Sequence, residues 1–264
     1  MSHLVAEPLP ASPVRRFRVQ ARLLPVLALA AAAGMAPAQT APPPFRIQPV
    51  RPVAELLAEA RLVPPPVEPG RLRASDLVEV TALDPTIRLD IRYATADNFL
   101  ATPVYRQARA FLQRPAAAAL VRAHRSLAGG GLGLIVYDGY RPWSVTWVFW
   151  QATPAHLHDF VADPAKGSRH NRGCAVDVGL VRRADGAVVE MPGAYDEMTE
   201  RSHAGYAGGT TMQRAHRDLL RRTMEAVGFT VLPEEWWHYD HRDWRLYPIV
   251  NVPFADIAPP RPVQ

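Results

Sequence analysis

Proline decides where this chain can fold. The 264 residues include 27 prolines, which crowd positions 37–69 and form the clusters Pro42 to Pro44 and Pro64 to Pro66. A proline removes a backbone donor and fixes φ, so neither a central strand nor a helix interior runs through such a stretch. Residues 39–74 therefore read as a proline-rich extension, a tether or a surface wrap with one helix-compatible patch at 53–62, and the core is expected downstream.

Beyond Asp76 the pattern changes. Short β-type runs at 77–82, 133–137, 175–180 and 229–232 alternate with helical stretches at 109–127, 144–151 and 212–227. Runs of both kinds without an internal repeat predict one α+β domain, placed at 75–258 and followed by a short tail, 259–264. The helix before Gly129-Gly130-Gly131 is expected to stop at that glycine cluster. The stretch from Arg182 to Thr210 reads as a long loop rich in Gly, Asp and Glu, and a loop of that size inside a domain is expected to supply substrate contacts.

The N-terminus reads as an export signal, residues 1–38. Arginines 15, 16, 18 and 22 precede an apolar run, Leu23 to Met35, and Ala36-Pro37-Ala38 is a small-x-small site that places cleavage before Gln39. The run is shorter than the roughly 20 apolar residues of a membrane span, so removal is favoured over a retained anchor. Arg15-Arg16 leaves folded, twin-arginine export open. The mature chain is expected to be periplasmic or secreted, with no stable membrane span. Those 38 residues contribute +3 of the net +5, leaving +2 on the remainder. No basic run interleaved with aromatics follows, so nucleic acid is not an expected partner.

One cysteine, Cys174, allows no intramolecular disulfide and no cysteine-ligated zinc site, so any metal must rest on His, Asp or Glu. The strongest local signal is Ser168-Arg169-His170-Asn171-Arg172-Gly173-Cys174-Ala175-Val176-Asp177, in which a turn at Gly173 would bring the His170 imidazole and the Asp177 carboxylate around one cation. A third ligand is offered by His238 in Glu234-Glu235-Trp236-Trp237-His238-Tyr239-Asp240. Two His and one Asp leave zinc an open position for water, the catalytic arrangement, and Glu235 suits a general base. The bland readings stand beside these: a hydrogen-bonded His170, tryptophans that pack the core on one face and wall a pocket on the other, and an Arg141 that merely pairs with Asp138 in Tyr137-Asp138-Gly139-Tyr140-Arg141-Pro142. Arg141 would otherwise stabilise charge on an attacked carbonyl.

These clusters, with the Tyr-Arg-Pro turn, Arg92-Tyr93-Ala94-Thr95-Ala96-Asp97-Asn98-Phe99, Asp196-Glu197-Met198 and Glu200-Arg201-Ser202-His203, occur in the order found in VanX-type D-alanyl-D-alanine dipeptidases, which the chain resembles from about 77 to 253. The resemblance implies the small central antiparallel sheet flanked by helices that this family shares with D,D-carboxypeptidases and the hedgehog N-terminal domain. It implies one zinc ion on His170, Asp177 and His238, with Glu235 as general base and acid, and Arg141 on the substrate carbonyl. It also places Asp196 and Tyr93 on the dipeptide ammonium, with Ser168 lining the same pocket. The activity implied is hydrolysis of D-Ala-D-Ala to two D-alanines by metal-activated water, in wall turnover or scavenging. A carboxypeptidase or endopeptidase on peptidoglycan stems and a noncatalytic zinc-containing module are the alternatives. Arg169 and Asn171 stand where smaller residues are common, Cys174 stands where serine is common, and the N-terminal extension is extra. Cys174 is expected to pack, and His241 to fall on the face of its strand opposite His238. His203 is expected behind the site beside Glu200, and His124, His156, His158 and His216 are read as structural or solvent-facing.

Overall fold

A computed structural model describes residues 45–257; the expected signal peptide and the C-terminal tail lie outside the described residues. The elements in chain order are α1 (Val53–Glu59), β1 (Leu77–Glu79), α2 (Val80–Leu83), β2 (Arg88–Leu89), β3 (Phe111–Gln113), α3 (Arg114–Ser126), β4 (Leu132–Asp138), α4 (Trp143–Ala152), β5 (Ala175–Arg182), α5 (Thr211–Glu225), β6 (Phe229–Leu232) and β7 (Glu235–His241). The class is α+β. The main sheet has the order β2-β4-β5-β7-β6, and β1 and β3 form a separate antiparallel pair. Contacts among β4, β5, β7 and β6 are antiparallel, as expected, while β2 runs parallel to β4 and makes the sheet mixed.

β5 lies at the centre of this sheet. Its sequence, Ala-Val-Asp-Val-Gly-Leu-Val, is apolar and buried along its length, as a strand paired on both sides requires. Asp177 is the one charge in that run, and a buried unpaired carboxylate is costly enough to signal a function. Register then places its neighbours. Between β4 and β5 the pairing shifts after Val136, so that Asp138 lies opposite Asp177, and on the other side Asp177 lies opposite His238 of β7. Three adjacent strands thus line up two carboxylates and an imidazole.

The helix expected from residue 109 begins at Arg114, because Pro115 in its first turn fixes the start. Residues 111–113, upstream of that stop, pair with β1 instead. Likewise the expected strand 77–82 ends at Glu79 and turns into α2. After α3, Gly131 takes a left-handed conformation with φ 70°. α5 starts with a capping box: Thr210 Oγ1 accepts from Gln213 N, and Gln213 Oε1 accepts from Thr210 N.

The extension is a wrap from residue 45 onward. Ile47 N donates to Phe99 O and Val50 N to Ala152 O, both at 2.9 Å. Val53, Leu56 and Ala60 are buried in the common core, where α1 packs on α4.

Candidate metal centre and active site

His170 reaches the sheet from a single 3₁₀ turn, His170–Arg172, that leads into β5. The turn ends at Gly173 with φ 65°, where a Cβ would stand 2.4 Å from Leu77 Cδ2. A side chain at that φ is strained and would have to displace Leu77, so glycine is favoured there. The expected reversal at Gly173 is therefore present, and it carries the imidazole back over Asp177.

Three coordinating atoms converge. His170 Nε2 and His238 Nδ1 are 3.0 Å apart, and Asp177 Oδ1 lies 3.3 Å from the first and 3.2 Å from the second. All three residues are buried. The backs of both rings fix the hydrogens. His170 Nδ1 lies 2.7 Å from the Gly139 carbonyl and His238 Nε2 lies 2.9 Å from Asp240 Oδ1; those partners only accept, so these nitrogens donate and the two inner nitrogens present lone pairs. Asp177 Oδ1 is buried with no hydrogen-bond donor. Three acceptors facing one another call for a cation. A tetrahedral ion about 2.0–2.1 Å from each ligand spaces the ligand atoms by roughly 3.3 Å, close to the spacing found here. The residues therefore fit a zinc-type ion.

The local electrostatics agree. Burial opposes ionisation of Asp177, but the two imidazoles outweigh it and hold the carboxyl well below its usual range. Burial alone would lower the His238 imidazole, yet Asp240 and Asp177 push it up to about 10, so where no ion is held a proton on the inner nitrogen takes the place of the cation. The pocket attracts positive charge.

A cavity of about 190 Å³ opens on this centre and is lined by Tyr93, Arg141, Ser168, Asp196, Glu235 and Trp237 among others. Glu235 Oε2 lies 3.6 Å from His238 Nδ1. Burial, reinforced by Asp177 and Asp196, pushes its carboxyl up to about 8 against the pull of His238 and Arg141. Arg141 is buried, with Nε donating to Asp138 Oδ2 at 2.9 Å and the guanidinium over the rings of Phe149 and Tyr93. It does pair with Asp138, as the bland reading had it, and it also lines the cavity. Asp138 in turn accepts from Tyr105 Oη and Gly139 N, both at 2.8 Å.

Asp196 comes from the long loop after β5. It adopts φ 67°, an uncommon conformation outside glycine, accepts from Tyr93 Oη at 2.9 Å through Oδ1, and leaves Oδ2 buried without a partner. Burial pushes this carboxyl up to about 7, against Tyr93 and Arg141. Ser168 has a local task as well as a place in the pocket: its Oγ accepts from His170 N at 3.2 Å.

All eight sequence-predicted site residues thus meet in one place. Cys174 is buried away from the ligand atoms and belongs to no metal cluster among the described residues. His241 faces Phe229 on the other side of its strand. His203 lies beside Glu200, its N donating to Glu200 O at 3.1 Å, and its ring centroid is 6.5 Å from that of Phe160, which lines the cavity. Sequence reasoning missed Asp240, the Gly139 carbonyl and Tyr195, whose hydroxyl lies 3.3 Å from Asp177 Oδ2. For Asp240 a signal existed: two residues beyond His238 on a strand, it shares its face.

The Peptidase_M15 family, described as D-ala-D-ala dipeptidase, matches residues 73–258. The D-alanyl-D-alanine dipeptidase of Escherichia coli strain K12 is 34% identical over 186 residues, 70% of this chain and 95% of that protein. The chain belongs to the M15 dipeptidase family. Two further D-alanyl-D-alanine dipeptidases are each 36% identical: that of Enterococcus faecium over 60% of this chain and 87% of its own, and that of Enterococcus faecalis strain V583 over 64% and 92%. A solved LD-carboxypeptidase aligns at 16% identity and TM-score 0.37 over 67% of this chain and 74% of its own, too distant to carry anything over. In this M15 peptidase both neighbours of His170 are tied into the centre. Asn171 Nδ2 donates to Arg141 O and Thr146 Oγ1, and Arg169 pairs with Asp240 at 3.4 Å.

Proposed function

We propose that the protein hydrolyses the dipeptide D-Ala-D-Ala to two D-alanines with one zinc ion held by His170, Asp177 and His238. The observation that carries this reading is the triangle of three acceptor atoms with sides of 3.0–3.3 Å, set beside a buried carboxyl, Glu235. A bound zinc ion lowers the pKa of a ligated water to about 7 and polarises a carbonyl.

The chain's own groups do the rest. Glu235 takes the proton of the attacking water on a carboxylate oxygen and delivers it to the leaving amine nitrogen; its raised proton affinity suits both halves of that transfer. Arg141, immobilised by Asp138 and two aromatic faces, holds a fixed positive charge where the carbonyl oxygen becomes negative. Asp196 Oδ2 lacks a partner in the free enzyme and would gain one from the dipeptide ammonium, with Tyr93 fixing the carboxylate. A longer peptide has no ammonium at that point and would leave the carboxylate desolvated and unpaired, so chain length is read as charge.

The test is metal analysis of the purified protein coupled to amino-acid release from the L,L, L,D, D,L and D,D dialanines and from a stem pentapeptide. Stoichiometric zinc and preference for the free D,D dipeptide are expected; preference for the pentapeptide would replace this reading by the carboxypeptidase one. The apolar run and small-residue site at 23–38 support action outside the cytoplasm. Amino-terminal sequencing of the cell-produced protein checks this, with Gln39 the expected first residue.

A further inference from the structure

Glu68 lies in the proline-rich extension, ahead of the family match at 73–258, yet its side chain ends beside the motif that carries His170. Glu68 Oε1 accepts from Arg172 Nη2, and Glu68 Oε2 accepts from Ile249 N at 2.6 Å. Arg172 is the last residue of the His170 turn. Its guanidinium is nearly buried, and besides Glu68 it has the Tyr247 carbonyl, 2.6 Å from Nη1, and the face of Trp244, 5.6 Å away.

The segment 247–250 is strapped to this turn at further points. Val250 N donates to Asn171 O at 2.9 Å, and Ile249 Cδ1 would stand 2.3 Å from a Cβ on Gly167, just before Ser168. The one Glu68 carboxylate therefore clamps the ligand turn to the segment behind it. We infer that Glu68 is a positioning residue for the metal ligand His170, acting through Arg172, so that the extension completes the metal centre of this chain.

Without Glu68 a buried guanidinium keeps only a carbonyl and a ring face, and Ile249 N loses its acceptor. The turn would then relax toward water, and a ligand must be held within about 0.5 Å of its productive place. The inference rests on the metal reading but not on the identity of the peptide cleaved.

The test measures zinc release from the full-length protein to an excess of chelator, without substrate, alongside kcat, KM and thermal midpoint. Glu68→Ala should release zinc about tenfold faster, the lower end of what loss of a ligand-orienting contact costs, with kcat reduced and KM within about twofold of the parent. Glu68→Gln, which keeps an acceptor for Ile249 N, should fall between, and it serves if the alanine variant does not fold; Glu68→Asp should recover part of the loss. Leu56→Ala, which cuts a fully buried side chain from α1 in the same extension, should lower the thermal midpoint and leave zinc release unchanged. Parental release rates in both Glu68→Ala and Glu68→Gln would overturn the inference, as would release from Leu56→Ala as fast as from Glu68→Ala. Failure of the metal reading itself would show separately, as wild-type protein without zinc.

Discussion

Replacing Asp196 by asparagine should convert a charge-reading pocket into one that no longer recognises a free amino terminus. Asp196 Oδ2 is buried and unpartnered, and Tyr93 holds the other oxygen at 2.9 Å. Losing one partner of a buried charged contact costs about 2–5 kcal/mol. The amide keeps an oxygen for Tyr93, so the lower end applies, about 30- to 100-fold in KM for D-Ala-D-Ala at about 1.4 kcal/mol per factor of ten. The pH dependence gives a second reading of the same group. Its carboxyl stands at about 7, above the usual range because of burial. It is ionised above that value and protonated below it, so ammonium binding is present above about pH 7 and lost as pH falls. The dipeptide amine loses its own proton near pH 8, which closes the window from above. Initial rates across pH, with the free and the N-acetylated dipeptide, separate these effects. The parent enzyme should prefer the free dipeptide, with kcat/KM falling by more than tenfold per pH unit on the acid side, because Glu235, pushed up to about 8, must also be ionised to take a proton. Asp196→Asn should lose much of that preference and ease the limb toward the roughly tenfold per unit that Glu235 alone sets. An unchanged KM with an equally steep acid limb in the variant would refute the reasoning.

Glu235→Gln should lower kcat by about 10²–10⁴-fold while the metal stays bound, whereas His238→Ala should lose metal and turnover together; turnover within tenfold of the parent in Glu235→Gln rejects its role. Asp240→Asn should weaken metal affinity by about 10–100-fold in competition with a chelating dye, because the carboxylate that orients His238 becomes a neutral amide. Gly173→Ala forces a side chain into φ 65° and into Leu77, at about 1–3 kcal/mol. That corresponds to a drop of several degrees in thermal midpoint, readable by calorimetry, and an unchanged midpoint would show that the turn is free to move.

The site was more legible than the scaffold that builds it. His170, Gly173 and Asp177 fall within eight residues, so local turn chemistry suffices to bring the first two ligands together. His238 lies on β7, far along the chain, and the likeness of the ordered motifs to a family supplied what periodicity does not. Element boundaries were harder where a tertiary partner overrides propensity. Residues 111–113 would continue a helical pattern, but β1 offers them a ladder and Pro115 fixes the helix start. β2, two residues long and parallel to β4, carries no period at all. Proline content leaves the extension between tether and wrap, because it describes backbone stiffness and says nothing of docking, whereas the buried Val53, Leu56 and Ala60 decide it.

The shift of register in β4 was the least legible feature and the one with the widest consequences. Up to Val136 the β4–β5 pairs follow one register, which continued unbroken would set Tyr137 opposite Asp177; instead Tyr137 is the extra residue and Asp138 takes that place. Asp138 can therefore brace Arg141 at 2.9 Å on the same side of the sheet as the ligands. Tyr137 is not idle: its ring stacks on Tyr195 at 4.4 Å between centroids, and Tyr195 approaches Asp177 Oδ2 through its hydroxyl. The next residue is Asp196, held at positive φ with one carboxylate oxygen buried and unpartnered. One inserted residue thus braces Arg141 through Asp138 and packs against the residue before Asp196. A regular β4 would carry the same amino acids and turn Asp138 to the other face of the sheet, away from Arg141.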